Sequence, residues 1–216
     1  MDVHVTFGNK RVLRGASLAV VRGSLHVLLG PNGCGKSTLL RVLGRQLAPA
    51  AGSARTDGPI SFVFQNPDHQ IVMPTVAADV AFGLGRYTLP ATAVRAQVAA
   101  ALATVGLAAV AQRPTHTLSG GQRQRCAIAG ALAQAPKVLL LDELTTFLDG
   151  GDQRGVLEAV RACVGGPDQV TALWVTHRLE ELAYADAASF MDGGRVQVTG
   201  SPAEVAEHMR RLGARW

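Results

Sequence analysis

The chain has 216 residues, the size of one ordinary domain or one domain carrying a lobe. Its 48% hydrophobic and 17% charged residues supply a core and exclude a disordered chain. The net charge of +5 comes from arginine, since Lys10, Lys36 and Lys137 are the only lysines. That bias beside abundant alanine fits a GC-rich genome better than the clustered cations of a nucleic-acid footprint, so no nucleic-acid partner is expected.

Short β-rich pieces open the chain at Val3–Phe7, Ser17–Val21 and Leu25–Leu29, followed by a Gly-rich turn and a helix over Ser37–Leu43 ending near Gly44. Ser61–Gln65 reads as the next strand. From Asn66 to about Gln134 the β signal disappears, and Val76–Leu84, Ala91–Gln112 and Gly121–Gln134 carry helical spacing or composition. Strand-like runs return at Val138–Leu141, Thr171–Val175, Ala188–Met191 and Arg195–Thr199 with helices between, and a closing helix starts at Pro202, a residue suited to a first turn. Runs such as Val138-Leu139-Leu140-Leu141 are apolar at every position, as parallel strands covered on both faces should be. The expected architecture is α/β in a single domain, 1–216, with a core at 1–65 and 135–216 and an inserted α-helical subdomain at 66–134.

Cys34, Cys126 and Cys163 form no C-x-x-C pair and have no histidine at ligand spacing, so neither a disulfide framework nor a zinc site is suggested and a reducing compartment fits. The longest uncharged run, Ala96–Gln112, is alanine-rich and interrupted by Gln97, Thr104 and Gly106, short of the ~20 strongly apolar residues a spanning helix needs. No basic-then-apolar secretory segment opens the chain, and membrane crossing is not expected.

Gly30-Pro31-Asn32-Gly33-Cys34-Gly35-Lys36-Ser37 fits G-x-x-x-x-G-K-[ST] between a strand and a helix, with Thr38 next in line. Glycines let the backbone wrap with its N–H groups inward, the helix N-terminus adds a positive dipole, Lys36 reaches β- and γ-phosphates, and the Ser37 hydroxyl is of the kind that binds Mg²⁺. The rival reading is an ordinary Gly-rich turn. Cys34 sits among those donors beside Lys36, an environment that can lower a thiol pKa, but the favoured reading is a small residue tolerated in the loop.

Val138–Leu141 runs into Asp142-Glu143, placing two carboxylates at the carboxyl edge of a buried strand, where α/β ligands bind. Asp142 reads as the Mg²⁺ partner and Glu143 as a general base polarising a water in line with the γ-phosphate; alone, such a pair could be a helix cap. In Thr117-Leu118-Ser119-Gly120-Gly121-Gln122, two glycines after a serine open a helix and make a second anion-binding N-terminus.

With the phosphate loop, this segment resembles the signature of ATP-binding cassette (ABC) ATPases, whose P-loop NTPase (RecA-like) core carries antiparallel β pieces. The resemblance covers nearly the whole chain. It makes Phe7 similar to the adenine-stacking aromatic, Gln65 to the residue sensing Mg²⁺ and the attacking water, Leu148-Asp149 to the D-loop, and His177 to the γ-phosphate contact. As single residues, Phe7 could be core, Gln65 a surface glutamine and His177 a cap. The resemblance implies ATP and Mg²⁺ as cofactors and a head-to-tail dimer with a second ABC ATPase subunit. Each ATP then lies between one subunit's Gly30–Ser37 and the other's Ser119–Gln122, a pairing that closes about a two-fold axis.

Phe64-Gln65-Asn66-Pro67-Asp68-His69-Gln70, then Thr75-Val76 and Asp79-Val80-Ala81-Phe82-Gly83, resemble the cobalt, biotin and energy-coupling-factor importer ATPases, which drive vitamin or metal-ion uptake. This implies an integral membrane transporter subunit as partner and a peripheral position on the cytoplasmic membrane face. Ile71-Val72-Met73-Pro74 is an apolar stretch placed to receive a coupling helix, or else to be buried within the lobe. Leu144 stands where most family members have proline, and Asp142–Asp149 is similar to cyanobacterial and plastid relatives, which makes a plastid an alternative location. A plastid transit segment would then lie outside this chain, and the chain ends at Trp216, earlier than many energy-coupling ATPases. The alternative function is a soluble, non-transport ABC ATPase such as one in iron–sulfur assembly. The 54 positions between Gln65 and Ser119 exclude the long coiled coil of repair-type members.

Overall fold

The structure is a computed structural model that describes residues 2–166 and 169–213; Trp216 lies outside the described residues. A two-stranded antiparallel sheet pairs β1 (Val3–Phe7) with β2 (Lys10–Ala16). The six-stranded sheet contains β3 (Leu25–Leu29), β4 (Ile60–Val63), β5 (Val138–Asp142), β6 (Thr171–Thr176), β7 (Ala187–Asp192) and β8 (Arg195–Gly200), in the order β4-β5-β6-β3-β7-β8. The pairs from β4 to β7 are parallel and β8 is an antiparallel edge.

Alternation along the central strands divides the core in two. Leu25, Val27 and Leu29 of β3, Leu139 and Leu141 of β5 and Trp174 of β6 face one cluster, whereas Leu28, Leu140, Leu173 and Val175 face the other. The first cluster is covered by α2 (Val76–Phe82), α3 (Ala91–Thr104), α4 (Gly120–Ala133), α5 (Gly150–Cys163) and α6 (Pro202–Arg211). The second is covered by α1 (Lys36–Leu43) and the β1–β2 ribbon. Both faces being covered explains why β3 and β6 are buried at every position. All the elements between β4 and β5 are helical.

Two expected elements differ. Ser17–Val21 is extended but joins no ladder; the strand is Lys10–Ala16, a half-exposed ribbon whose cationic sequence hides its β pattern. The helix expected over Ala91–Gln112 ends at Thr104, because Gly106 takes a left-handed conformation (φ 69°) that stops it. All three cysteines are free and buried.

The helical segment is tied to β4 by side chains of the motif residues. Gln70 accepts from Phe64 N (2.7 Å) and donates to Phe62 O (3.0 Å), Gln124 donates to Phe64 O (3.1 Å), and Arg123 pairs with Asp68 (3.1 Å). Buried Asp79 accepts from the backbone N–H groups of Val72 (2.8 Å) and Met73 (3.0 Å). These bonds shape the Ile71–Pro74 stretch and leave Val72 60% exposed, so burial within the lobe does not account for that apolar side chain.

Candidate phosphate and hydrolysis site

Register across β5, β6 and β3 brings the motif residues to one sheet edge. Leu29 is level with Thr176, and Asp142 with Val175, so the turns after β3, β5 and β6 emerge together at the carboxyl ends of parallel strands. Gln65 follows β4 on the same edge, Val63 being level with Leu141.

The turn after β3 needs glycine for two separate reasons. A Cβ on Gly30 would collide with the Met191 carbonyl oxygen, and Gly35 has φ 113° with Leu13 Cδ2 only 2.8 Å from where its Cβ would lie. The turn therefore packs tightly against β7 and the β2 ribbon as it enters α1, with Cys34 N on the Pro31 carbonyl at 3.3 Å. No side chain caps α1, whereas α2, α4, α5 and α6 are capped by Thr75, Ser119, Asp149 and Ser201. An uncapped N-terminus without an acidic first turn retains orphan donors and a positive dipole for an outside acceptor.

Lys36 is 3% exposed and donates to the Gly30 (2.8 Å) and Pro31 (3.0 Å) carbonyls. Its nearest anion is Glu143 Oε1 at 3.7 Å. The same carboxylate receives Gln65 Nε2 at 3.4 Å and Thr146 Oγ1 at 3.4 Å, and lies 3.5 Å from His177 Nδ1, a buried atom without a hydrogen-bond partner among the described residues. Glu143 takes φ 47°, a left-handed conformation rare outside glycine and found where function over-determines the backbone. The structure thus brings Lys36, Glu143, Gln65 and His177 together around one carboxylate.

Ser37 donates to Asp142 Oδ1 at 2.9 Å. Burial raises the Asp142 carboxyl above its usual range, and the Ser37 bond opposes that shift. A hydroxyl and a carboxylate side by side are the donor set of a Mg²⁺ ion that takes its remaining oxygens from substrate phosphate and water. Among the described residues no group of three or more His, Cys, Asp or Glu stands together as a metal site. Burial pushes the Cys34 thiol up, outweighing the lowering by Lys36, which fits a small residue tolerated in the loop.

Phe7 ends β1 half exposed, and Ser119–Gln122 lies elsewhere: among the described residues no hydrogen bond or ion pair links either to the Lys36–Glu143 cluster. Ser119 and Gln122 form a reciprocal capping box on α4. Asp152, which no motif signalled, accepts from Gly121 N (3.0 Å) and Ser119 Oγ (3.3 Å), so a carboxylate already occupies this anion-binding turn. A separate cavity of about 470 Å³, with Leu18, Leu43 and Leu173 in its lining, lies by the starts of β5 and β6, at the sheet edge opposite the phosphate turn.

The ABC transporter family matches residues 13–146, which contain the phosphate turn, the signature turn and Asp142-Glu143. The chain belongs to the ABC transporter family. It is the nucleotide-binding, ATP-hydrolysing type of subunit in that family. This ABC ATPase is 55% identical over 201 residues to ABC transporter I family member 10 of Arabidopsis thaliana, covering 92% of the chain and 74% of that protein. It is 44% identical over 216 residues to the energy-coupling factor transporter ATP-binding protein EcfA1 of Symbiobacterium thermophilum, covering 94% and 75%. Among solved structures it is similar to CbiO1 from Clostridium perfringens, part of the ABC transporter complex CbiONQ, with a TM-score of 0.86 at 31% identity over 99% of this chain and 93% of that one. An ATP-binding cassette bound to ADP and Pi, at 24% identity and a TM-score of 0.76, shares the fold.

Gly35→Ala tests the cradle. The left-handed φ and the Leu13 contact predict a loss of about 2 kcal/mol of stability, measured by denaturant unfolding, together with weakened nucleotide binding.

Proposed function

We propose that this chain powers uptake of a vitamin or divalent metal ion by closing on ATP as a dimer. The observation that carries the reading is the buried Lys36 ammonium beside an uncapped helix N-terminus, with Ser37–Asp142 and Glu143 on the same sheet edge. The backbone of Gly30, Pro31, Asn32, Gly33, Cys34 and Gly35 with Lys36, Ser37 and Thr38 would hold the phosphates, and Phe7 the base. Ser37, Asp142 and Gln65 would hold Mg²⁺, which supplies charge neutralisation at the β- and γ-oxygens when bound. Glu143 accepts the proton of the attacking water, Gln65 orients that water, and His177 donates toward the γ-phosphate.

In the dimer, Ser119, Gly120, Gly121 and Gln122 of one subunit would complete the other's site. The ADP- and Pi-bound cassette that shares this fold is dimeric, and CbiO1 is part of the complex CbiONQ. An integral membrane partner is supported by the apolar groove of Met73, Ala78, Ala81 and Phe82, about 730 Å³, flanked by exposed Val72 and Phe82. Such a groove takes an amphipathic helix. No helix among the described residues is long and apolar enough to cross a membrane, which fits a peripheral subunit on the cytoplasmic face. In a plastid the corresponding face is stromal. The energy-coupling and CbiO names of the relatives support import of a vitamin or metal ion over a soluble, non-transport role.

The test separates binding, closure and chemistry. Glu143→Gln is expected to bind ATP, lose turnover by at least about a hundredfold and accumulate as a dimer by light scattering. Ser119→Arg should keep single-chain ATP binding and lose ATP-dependent dimerisation; normal dimerisation would contradict the composite site. In mild detergent, the Glu143→Gln dimer should retain an integral membrane protein identifiable by mass spectrometry.

Closure also has an internal competitor. The Asp152 carboxylate holds the Gly121 N–H and the Ser119 hydroxyl, the donors that an incoming phosphate would use. Asp152→Asn removes the charge but keeps the shape, and should lower the ATP concentration for half-maximal dimerisation by about threefold. A rise would make Asp152 a support for the turn, not a competitor.

A further inference from the structure

Beneath Glu143 and His177 lies a buried acid that no motif accounts for. Glu181, in the short 3-10 helix Leu179–Tyr184 after β6, is 3% exposed. Its Oε1 accepts from Thr145 Oγ1, itself 1% exposed, across 36 positions of sequence. Thr145 stands in the tight turn after β5 that aims Glu143: Thr146 N (3.3 Å) and Thr146 Oγ1 (3.1 Å) both donate to the Glu143 carbonyl. The other end of Glu181 faces β6. Thr176 and Trp174 of that strand direct side-chain bonds at the carboxylate, and close by His177 Nδ1 is buried without a hydrogen-bond partner among the described residues. A buried carboxylate is retained only where its bonds matter. Burial raises this carboxyl above its ordinary value, with bonds from Thr145 and Thr176 and the nearby Arg178 charge opposing the rise.

These contacts join two loops of the hydrolysis site. The β5 turn carries Glu143 and the β6 turn carries His177, whose neighbour Thr176 accepts from Arg178 N at 3.0 Å as the chain bends toward Glu181. Glu143 N also donates to Val175 O at 3.0 Å, so the two turns already share one backbone bond. That bond fixes the height of Glu143 at the sheet edge, and the Thr146 and Leu148 N–H groups, on the Glu143 (3.3 Å) and Thr145 (3.1 Å) carbonyls, shape the turn after it. The Thr145–Glu181 bond closes the second side.

We propose that Glu181 is a positioning residue for ATP hydrolysis: through Thr145 it locks the turn that holds Glu143 in its left-handed conformation, and it keeps that turn in register with His177. The inference rests on Glu143 being the base. It makes Glu181 silent in nucleotide binding, which uses the β3 turn, and decisive in the chemical step, where a misplacement of about 1 Å can cost about a hundredfold in rate.

The experiment measures kcat, ATP affinity and melting temperature for four variants of the full chain. Glu181→Leu removes the acceptor of the buried Thr145 hydroxyl and lowers stability, whereas Glu181→Leu combined with Thr145→Val replaces both partners by apolar groups, a change that can be nearly neutral. The kcat of Glu181→Leu should fall by roughly tenfold to a hundredfold with ATP affinity within about twofold of wild type, and the double variant should show the same loss at a melting temperature close to wild type. Glu181→Gln retains an acceptor for Thr145 and should recover most of the rate. Thr145→Val should reproduce the loss, and Glu181→Leu combined with Thr145→Val should be no slower than the slower single change, since both cut one bond. An unchanged kcat in Glu181→Leu or Thr145→Val overturns the inference. So does a loss in which rate, affinity and melting temperature fall together and the two changes add, because that pattern belongs to a residue needed only for folding. Glu143→Gln measured alongside keeps the readings apart. If it retains turnover, the assignment of the base fails, whatever Glu181 does; if it is inactive while Glu181→Leu is normal, only the positioning role fails.

Discussion

A lysine ammonium that is 3% exposed must be compensated, and the surroundings of Lys36 compensate it incompletely. Two carbonyls, of Gly30 and Pro31, take its protons, and the nearest carboxylate, Glu143, stands off at 3.7 Å. Beside it, α1 begins without a side-chain cap. A positive charge and a positive helix end therefore converge on one turn, and phosphate is a chemistry that satisfies both. In the function proposed for this chain Glu143 would have two uses. It would balance Lys36 in the absence of nucleotide, and would be released for work on water when phosphate oxygens take over that balance.

The sheet makes this exchange possible by holding its participants at one level. Parallel pairing sets Leu29 against Thr176 and Asp142 against Val175, so the ends of β3, β5 and β6 reach the edge together. The two packed faces leave the strands little freedom to slip, since a one-residue shift would turn Trp174 and Leu141 out of one core cluster and Leu140 and Val175 out of the other. What remains adjustable is on the turns. Glu143 holds a left-handed backbone, His177 Nδ1 is buried without a hydrogen-bond partner among the described residues, and Asp152 fills the α4 anion site with a charge of the chain's own. In the proposed function, nucleotide and a second subunit would engage His177 and replace the Asp152 contact.

Much of this was legible in the residues because the decisive signals are local. A strand, a Gly-rich turn and a helix follow one another within Leu25–Leu43, and the apolar run ending in Asp142-Glu143 announces a buried strand that reaches a polar edge. Signals that depend on tertiary contact were harder to read. Lys10–Ala16 is a strand by virtue of its pairing with β1, and nothing in its cationic sequence shows it. The alanine-rich run past Thr104 has helical composition but meets the left-handed Gly106. Glu181 meets Thr145 only because β5 and β6 are neighbours, and Asp152 meets Gly121 only because α4 and α5 begin together. Residues joined across 31 or 36 positions leave no spacing for a pattern to reveal.

The central claim is that Lys36 trades the Glu143 carboxylate for phosphate, and the affinity of Glu143→Gln for ATP tests it most directly. The measurement belongs in a Ser119→Arg background, where dimer closure cannot add to the binding energy, by calorimetry with ATP and Mg²⁺. Removing the carboxylate's charge leaves the buried ammonium without an anion before binding and removes a repulsion after it. ATP should therefore bind more tightly than to Ser119→Arg alone, on the order of tenfold. Equal or weaker binding would contradict the exchange and leave Glu143 with no part in compensating Lys36.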